Sequence, residues 1–294
     1  MVNIYSPVEL RQLVADYNDK KLITVRPSSR YPGLSVVKYA RTVFFDNLWD
    51  DFLIECRGLI IDEDFNVVVH PMTKVFNYGE NGRHIDVPKD ESLMCSKKYN
   101  GFMLAVTNHS KYGLIFSTTG STDSDYCILG EQYYRIYETT ECYQIAEGST
   151  AVFEICAQED PHIISEVVGC YYLGSRSNRE WYPNYDNIFE GSLNKLFASK
   201  EHVEGWVCYR YDHSNCVFKI KTPYYLKHKL LSRGNMAKID RALSNDFGNL
   251  STYMANFDEE FHDIAKALLP HRDAFISLDE QARLTFLRNL YDQH

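Results

Sequence analysis

Hydrophobic and polar positions change period along the chain. Ser6-Pro7-Val8-Glu9 has the form of a helix start, with Ser6 as N-cap, proline in the first turn and Glu9 placed to close a capping box. From about Leu22 to Met72 the pattern turns to strands, and IECRGLIID and NVVVHPM flank Glu63-Asp64-Phe65, which reads as a hairpin turn. Strand-like runs continue through LMCSKKY, FMLAVTN and YGLIFSTT, followed by a helical stretch, EQYYRIYETTECYQIA. TAVFEICAQ and SEVVGCYYLGS read as strands and IFEGSLNKLFA as a helix. Residues 203–222 read as a hairpin turning at DHSN. After Pro223 the period is almost wholly helical. The pattern predicts an α+β body over residues 1–225 and a small all-helical domain over 226–294. Internal repeats, low-complexity segments and flexible linkers are not evident.

Composition narrows the class. A chain of 294 residues can bury a large core, and 45% apolar with 24% charged residues is ordinary for a soluble globular protein. Apolar runs fall short of a membrane span, and MVNIYSPVEL lacks the basic start and apolar core of a signal peptide. The eight cysteines, at 56, 95, 127, 142, 156, 170, 208 and 216, form no CxxC pair. They read as reduced thiols of a cytoplasmic protein, not as a disulfide scaffold or a zinc site. A net charge of −9 argues against a generic nucleic-acid binder, so any such contact needs a local basic patch. One basic run exists: Lys219, Lys221, Lys227, Lys229, Arg233, Lys238 and Arg241, with Asp240 the only acid after Lys219 in that span. It suits either a phosphate-tracking groove or a solvated helix face.

The stretch CSKKYNGFMLAV sets two lysines at the mouth of Asn100-Gly101, between two apolar strands. Alone, it is compatible with a surface hairpin and a solvated lysine. Three later features change its meaning. VFEIC carries Glu154 in a buried-type strand, VEGWV places Glu204 before a glycine, and FKIK places Lys219 and Lys221 on one strand face with Phe218 and Ile220 on the other.

This ordered set resembles the covalent nucleotidyltransferase superfamily of ATP-dependent ligases and capping enzymes, and more narrowly the phage T4-type RNA ligase 1 family. ECRG at 55–58, KVFNYGEN at 74–81, TTGS at 118–121 and VFKIKTPYY at 217–225 carry the narrower match, which spans about residues 30–230. The resemblance implies the nucleotidyltransferase (ATP-grasp-like) ligase fold, with mixed antiparallel sheets, flanking helices and the helical C-terminal domain. It implies an ATP-dependent RNA ligase that joins a 5′-phosphate to a 3′-hydroxyl through lysyl-AMP in RNA or tRNA repair. The partners implied are RNA, with tRNA among the candidates, and an end-healing kinase or phosphatase. The protein is expected to be a monomer in the cytoplasm, that of a host cell if it is viral. Alternatives are a non-catalytic RNA-binding or scaffold protein on the same fold, and a GTP-using capping enzyme. The latter should carry an OB domain of short strands in place of the helical tail.

By the same resemblance, Lys98 is the nucleophile that attacks the α-phosphorus of ATP, with Lys97 beside it on the nucleotide. Lys219, Lys221 and Arg57 are expected to depress the Lys98 pKa and, with Lys74, to neutralise the triphosphate. Glu154 is the ribose acceptor and Glu204 the Mg²⁺ or Mn²⁺ ligand near the α-phosphate. Phe76 packs under the nucleotide, and Gly101 lets the backbone bend. Apart from the resemblance, the basic run of the tail makes Lys227, Lys229 and Arg233 the candidate RNA-contacting residues. Two positions depart from the family pattern: Asn100 stands where Asp is usual, and Thr119 stands where a lysine precedes the glycine, a loss that Lys111 is a candidate to supply.

Overall fold

The computed structural model describes residues 5–141, 144–160, 162–177, 180–210, 218–244, 250–254 and 256–293. The chain opens with α1 (Pro7–Asp19), where Ser6 and Glu9 form the expected capping box. It continues through β1 (Ile23–Pro27), β2 (Leu34–Tyr39), a short helix α2 (Arg41–Phe45), β3 (Arg57–Asp62) and β4 (Val67–Val69). These four strands form one antiparallel sheet in the order β1-β2-β3-β4. The β3–β4 turn lies where Glu63-Asp64-Phe65 predicts it, with Phe65 in the left-handed region (φ 63°) and the Asp62 carboxylate accepting from the Asp64 and Asn66 amides.

Next come β5 (Leu93–Lys98), β6 (Phe102–His109), β7 (Gly113–Ser117), α3 (Asp125–Glu141), β8 (Thr150–Cys156), β9 (Gly169–Ser177) and β10 (Glu180–Pro183). They are followed by β11 (Ile188–Gly191), α4 (Leu193–Phe197), β12 (Gly205–Tyr209) and β13 (Phe218–Lys221). A second antiparallel sheet has the order β10-β9-β8-β6-β7 and a third β11-β5-β12-β13. Period-2 alternation assigns each face. Met103, Ala105 and Val152 meet Leu34, Val36 and Ile60 in a core shared by the first two sheets, to which Met94 and Tyr209 add the third. On the outer faces, Leu10 and Val14 of α1 cover the first sheet, Cys127 and Tyr134 of α3 the second, and Leu193 and Leu196 of α4 the third.

The remaining helices are α5 (Pro223–Leu230), α6 (Arg233–Ser244), α7 (Leu250–Met254), α8 (His262–Leu268), α9 (Arg272–Ser277) and α10 (Glu280–Gln293). They enclose a core of their own that includes Leu230, Leu243, Tyr253, Leu268, Phe275 and Leu287.

Three sequence expectations need correction. Residues 98–101 do not close a hairpin, because β5 pairs with β11 and β12 whereas β6 pairs with β7 and β8. The connection carries the chain from one sheet to another. The first four residues of IFEGSLNKLFA form β11 on the edge of the third sheet, and only Leu193–Phe197 is helical. The helix expected over residues 131–146 starts at Asp125. Cys142, Cys216 and the DHSN turn lie outside the described residues. The six described cysteines are free thiols, and among the described residues no helix is long and apolar enough to cross a membrane.

Candidate active site

Strand register brings the key side chains abreast. Gly205 of β12 pairs with Lys98 on one side and Lys221 on the other, while Val207 pairs with Ser96 and Lys219. Lys98, Lys219 and Lys221 therefore share one face, and Phe218 and Ile220 are buried on the opposite one. Gly205 itself must be bare, since a Cβ there would lie 1.9 Å from the Ile220 carbonyl oxygen. The KVFNYGEN segment docks on the far edge of β13. The Lys219 amide donates to the Phe76 carbonyl (2.8 Å), and the Tyr78 amide donates to the Lys219 carbonyl (2.9 Å).

The shared face opens into a cavity of about 480 Å³, within the range of small-molecule sites. Lys98, Arg57, Lys74, Lys219 and Lys221 line it with the carboxylates of Glu154 and Glu204. Met72, Val75, Met103, Val152, Tyr172 and Leu173 supply an apolar wall. Sequence reasoning missed that wall, along with Tyr39, Phe44, Asn184 and Asn187. Alternating apolar residues mark a strand without saying which of its faces lines a cavity.

Lys98 Nζ lies 2.9 Å from Glu204 Oε2 and 3.3 Å from the Tyr99 carbonyl oxygen. The expectation that surrounding cations depress its pKa is not met. Burial pulls the value down, but Glu204 and then Glu154 outweigh it, and the net shift is upward. The lysine that is depressed is Lys219, brought down to about 7 by burial and by Lys98, Lys221, Lys74 and Arg57 around it. Lys221 and Lys74 are also shifted down by burial, against the opposing charges of Glu260 and Glu80 respectively. Burial raises the Glu154 pKa; Lys98 opposes this and Glu204 adds to it. The Gly101 amide donates to Glu154 Oε1 (3.2 Å).

Other expected residues are placed differently. Phe76 is buried and does not line the cavity; the Lys74 ammonium and the Arg83 guanidinium stack on it at 3.9 and 4.1 Å. Lys97 lines the cavity, but its ammonium is held by Glu166 at 2.6 Å. Gly101 is required for space, because a Cβ would sit 2.2 Å from the Ile155 carbonyl oxygen. Asn100 is buried and donates to the Ile164 carbonyl (3.3 Å), a bond that a carboxylate could not make. Thr119 lines the cavity, while Lys111 does not and lies over the Tyr112 ring. The ammonium that packs against Gly120 is that of Lys38.

The tail residues do not form an open phosphate track among the described residues. Lys229 is clasped by Asp258 and Glu260, and Lys227 pairs with Asp292 at 2.5 Å. Lys221 also pairs with Glu260 (2.8 Å). The Arg233 side chain lies outside the described residues.

The donor set allows a magnesium or manganese ion. Among the described residues no group of three or more His, Cys, Asp or Glu side chains could hold a metal alone. Glu204 and Glu154 line the cavity together, and Mg²⁺ takes one or two carboxylates and completes its shell with water and substrate phosphates.

Residues 55–196 match the family model described as RNA ligase. Comparison with curated protein sequences gives no match. Two solved structures of an archaeal ATP-dependent RNA ligase share the fold. Form 1 is 13% identical with a TM-score of 0.53, covering 98% of this chain and 79% of that one. Form 2 is 10% identical with a TM-score of 0.52, covering 96% and 77%.

Proposed function

Because residues 55–196 match the RNA ligase family model, we propose that the chain is an ATP-dependent RNA ligase acting through a lysyl-AMP on Lys98. The observation that carries this reading is the Lys98 ammonium, at 2.9 Å from Glu204, in a cavity that also holds Arg57, Lys74, Lys219 and Lys221. Four cations around one lysine and two carboxylates suit a triphosphate placed for attack at its α-phosphorus.

In the first step the Lys98 amine forms a bond to the α-phosphorus and pyrophosphate leaves with the electrons of the broken P–O bond. Lys98 must first lose its proton, and Glu204 Oε2 is the acceptor within hydrogen-bond reach. Arg57, Lys74, Lys219 and Lys221 offset the charge that grows on the departing pyrophosphate. Glu154 accepts from the ribose hydroxyls. Glu154, with the remaining oxygen of Glu204, would hold a divalent ion, which would supply further charge neutralisation. In the second step AMP passes from Lys98 to the 5′-phosphate of RNA. In the third, an RNA 3′-hydroxyl attacks that phosphate and AMP departs. RNA with 5′-phosphate and 3′-hydroxyl ends, tRNA among them, is the substrate class, and a kinase–phosphatase partner would prepare such ends.

Incubation with α-labelled ATP or GTP and Mg²⁺, followed by a denaturing gel, tests the reading. It expects protein labelling with ATP alone. Labelling with GTP alone would replace it with guanylyl transfer, and no labelling with either would leave a non-catalytic RNA binder.

A further inference from the structure

A second group of buried polar side chains lies outside the cavity. Glu55 accepts from Thr73 Oγ1 (2.9 and 3.0 Å to its two oxygens) and from Arg176 Nη1 (3.3 Å), and His70 Nε2 lies 2.8 Å from it. Arg176 Nη2 also donates to Thr73 Oγ1 (2.6 Å). The His70 amide donates to Thr150 Oγ1 (3.1 Å), which bonds Thr107 Oγ1 (2.8 Å). The group therefore ties the residues flanking β3 and β4 to β6, β8 and β9 of the second sheet. Glu55, His70 and Arg176 have only 15%, 10% and 6% of their side-chain surface exposed, and none of them lines the cavity.

Its place in the chain is informative. Glu55 stands two residues before Arg57, and Thr73 stands immediately before Lys74. The Lys74 amide donates to the Ile54 carbonyl (2.9 Å), so the two segments are also joined through their backbones. As stability alone, the arrangement is poorly explained, because apolar residues of similar volume usually serve a core as well as a buried ion pair does. A directional network instead fixes the positions of the segments it bridges. Arg176 keeps an unpartnered Nε, while its Nη1 meets both Glu55 and His70 Nε2 (2.7 Å) and its Nη2 meets Thr73. Burial raises the Glu55 pKa, but His70, Arg176 and Thr73 outweigh it, so Glu55 stays ionised; burial keeps His70 neutral.

We propose that Glu55, Thr73 and Arg176 are positioning residues that set Arg57 and Lys74 against the ATP triphosphate. The proposal rests on the ATP reading above. It assigns the network to the nucleotide step and not to the joining of RNA ends.

The test uses the full chain and three variants. Arg176→Met alone leaves the Glu55 carboxylate buried without its cation and can unfold the protein. Glu55→Leu with Arg176→Met removes both charges and keeps a folded core. ATP affinity is measured by calorimetry, the KM and kcat of self-adenylation by labelling, and the sealing of pre-adenylated RNA in a separate assay. For the folded double variant the expected result is ATP binding and KM weakened on the order of 10- to 100-fold, as for a misplaced contact. Sealing of pre-adenylated RNA should stay within about twofold, well below the effect of a lost contact. Arg176→Lys, which keeps the charge and one donor nitrogen, should retain part of the ATP affinity that the double variant loses. Wild-type ATP affinity in the double variant would overturn the proposal, as would equal losses in both steps. If the wild-type protein itself binds no ATP, the ATP reading fails first and the network proposal falls with it.

Discussion

Lys219 gives the site a pH dependence that can be worked out in advance. Its pKa is about 7, set by burial and then by Lys98, Lys221, Lys74 and Arg57. A bound triphosphate favours the charged ammonium and raises that value. Below pH 7 Lys219 already carries its proton, and affinity is insensitive to pH on its account. Above pH 7, binding must take up a proton, so affinity falls as pH rises. If the bound pKa exceeds 9, Kd scales as 1 + 10^(pH − 7) and weakens about fifty-fold between pH 7 and 9. Lys221, also shifted down by burial although Glu260 opposes it, adds to the loss in the same direction. Calorimetry at pH 8 in buffers of different ionisation enthalpy should show uptake of about 0.9 proton per ATP from Lys219. Lys219→Arg keeps its charge throughout and should flatten most of the dependence. Buffer-independent heats at pH 8 with a flat Kd from pH 7 to 9 would refute a neutral Lys219.

Lys98→Ala should abolish nucleotide labelling while Lys97→Ala retains it, since Lys97 is engaged by Glu166; label mapped to Lys97 in the first variant would contradict the assignment. Gly101→Ala would drive a Cβ to 2.2 Å from the Ile155 carbonyl oxygen, and urea unfolding should show a loss of about 1–3 kcal/mol. Lys229→Glu would place a third carboxylate against Asp258 and Glu260, and thermal unfolding should show a loss on the order of 3–5 kcal/mol, whereas an unchanged melting temperature would return Lys229 to the solvent face.

The strands of the body and the helical tail were legible because their periods are clean, as in TAVFEICAQ, where Ala151, Phe153, Ile155 and Ala157 serve one core and Val152 and Glu154, between them, face the other side. The sheet switch at residues 98–101 was not legible. Three residues between two apolar strands read as a hairpin, and only the pairing of β5 with β12 and of β6 with β8 separates them. FEIC, VEG and FKIK pointed to Glu154, Glu204, Lys219 and Lys221 through their order along the chain, which resembles the ligase pattern, and the alternation of FKIK put its two lysines on one face. The charge state of Lys98 was missed because Glu204 lies more than a hundred residues away, and its approach to 2.9 Å depends on β12 lying beside β5. For the same reason the ion pairing of the basic run was not legible. Asp258, Glu260 and Asp292 come from later parts of the tail, and their pairing with Lys227 and Lys229 leaves no trace in local composition.

Peptide mass mapping after incubation with ATP and Mg²⁺ tests the central claim most directly. The expected result is a single adenylate on the peptide containing Lys98, acid-labile as a phosphoramidate, and discharged when 5′-phosphorylated RNA is added. An adenylate on another residue, or an unmodified protein under conditions in which ATP binds, would contradict the account.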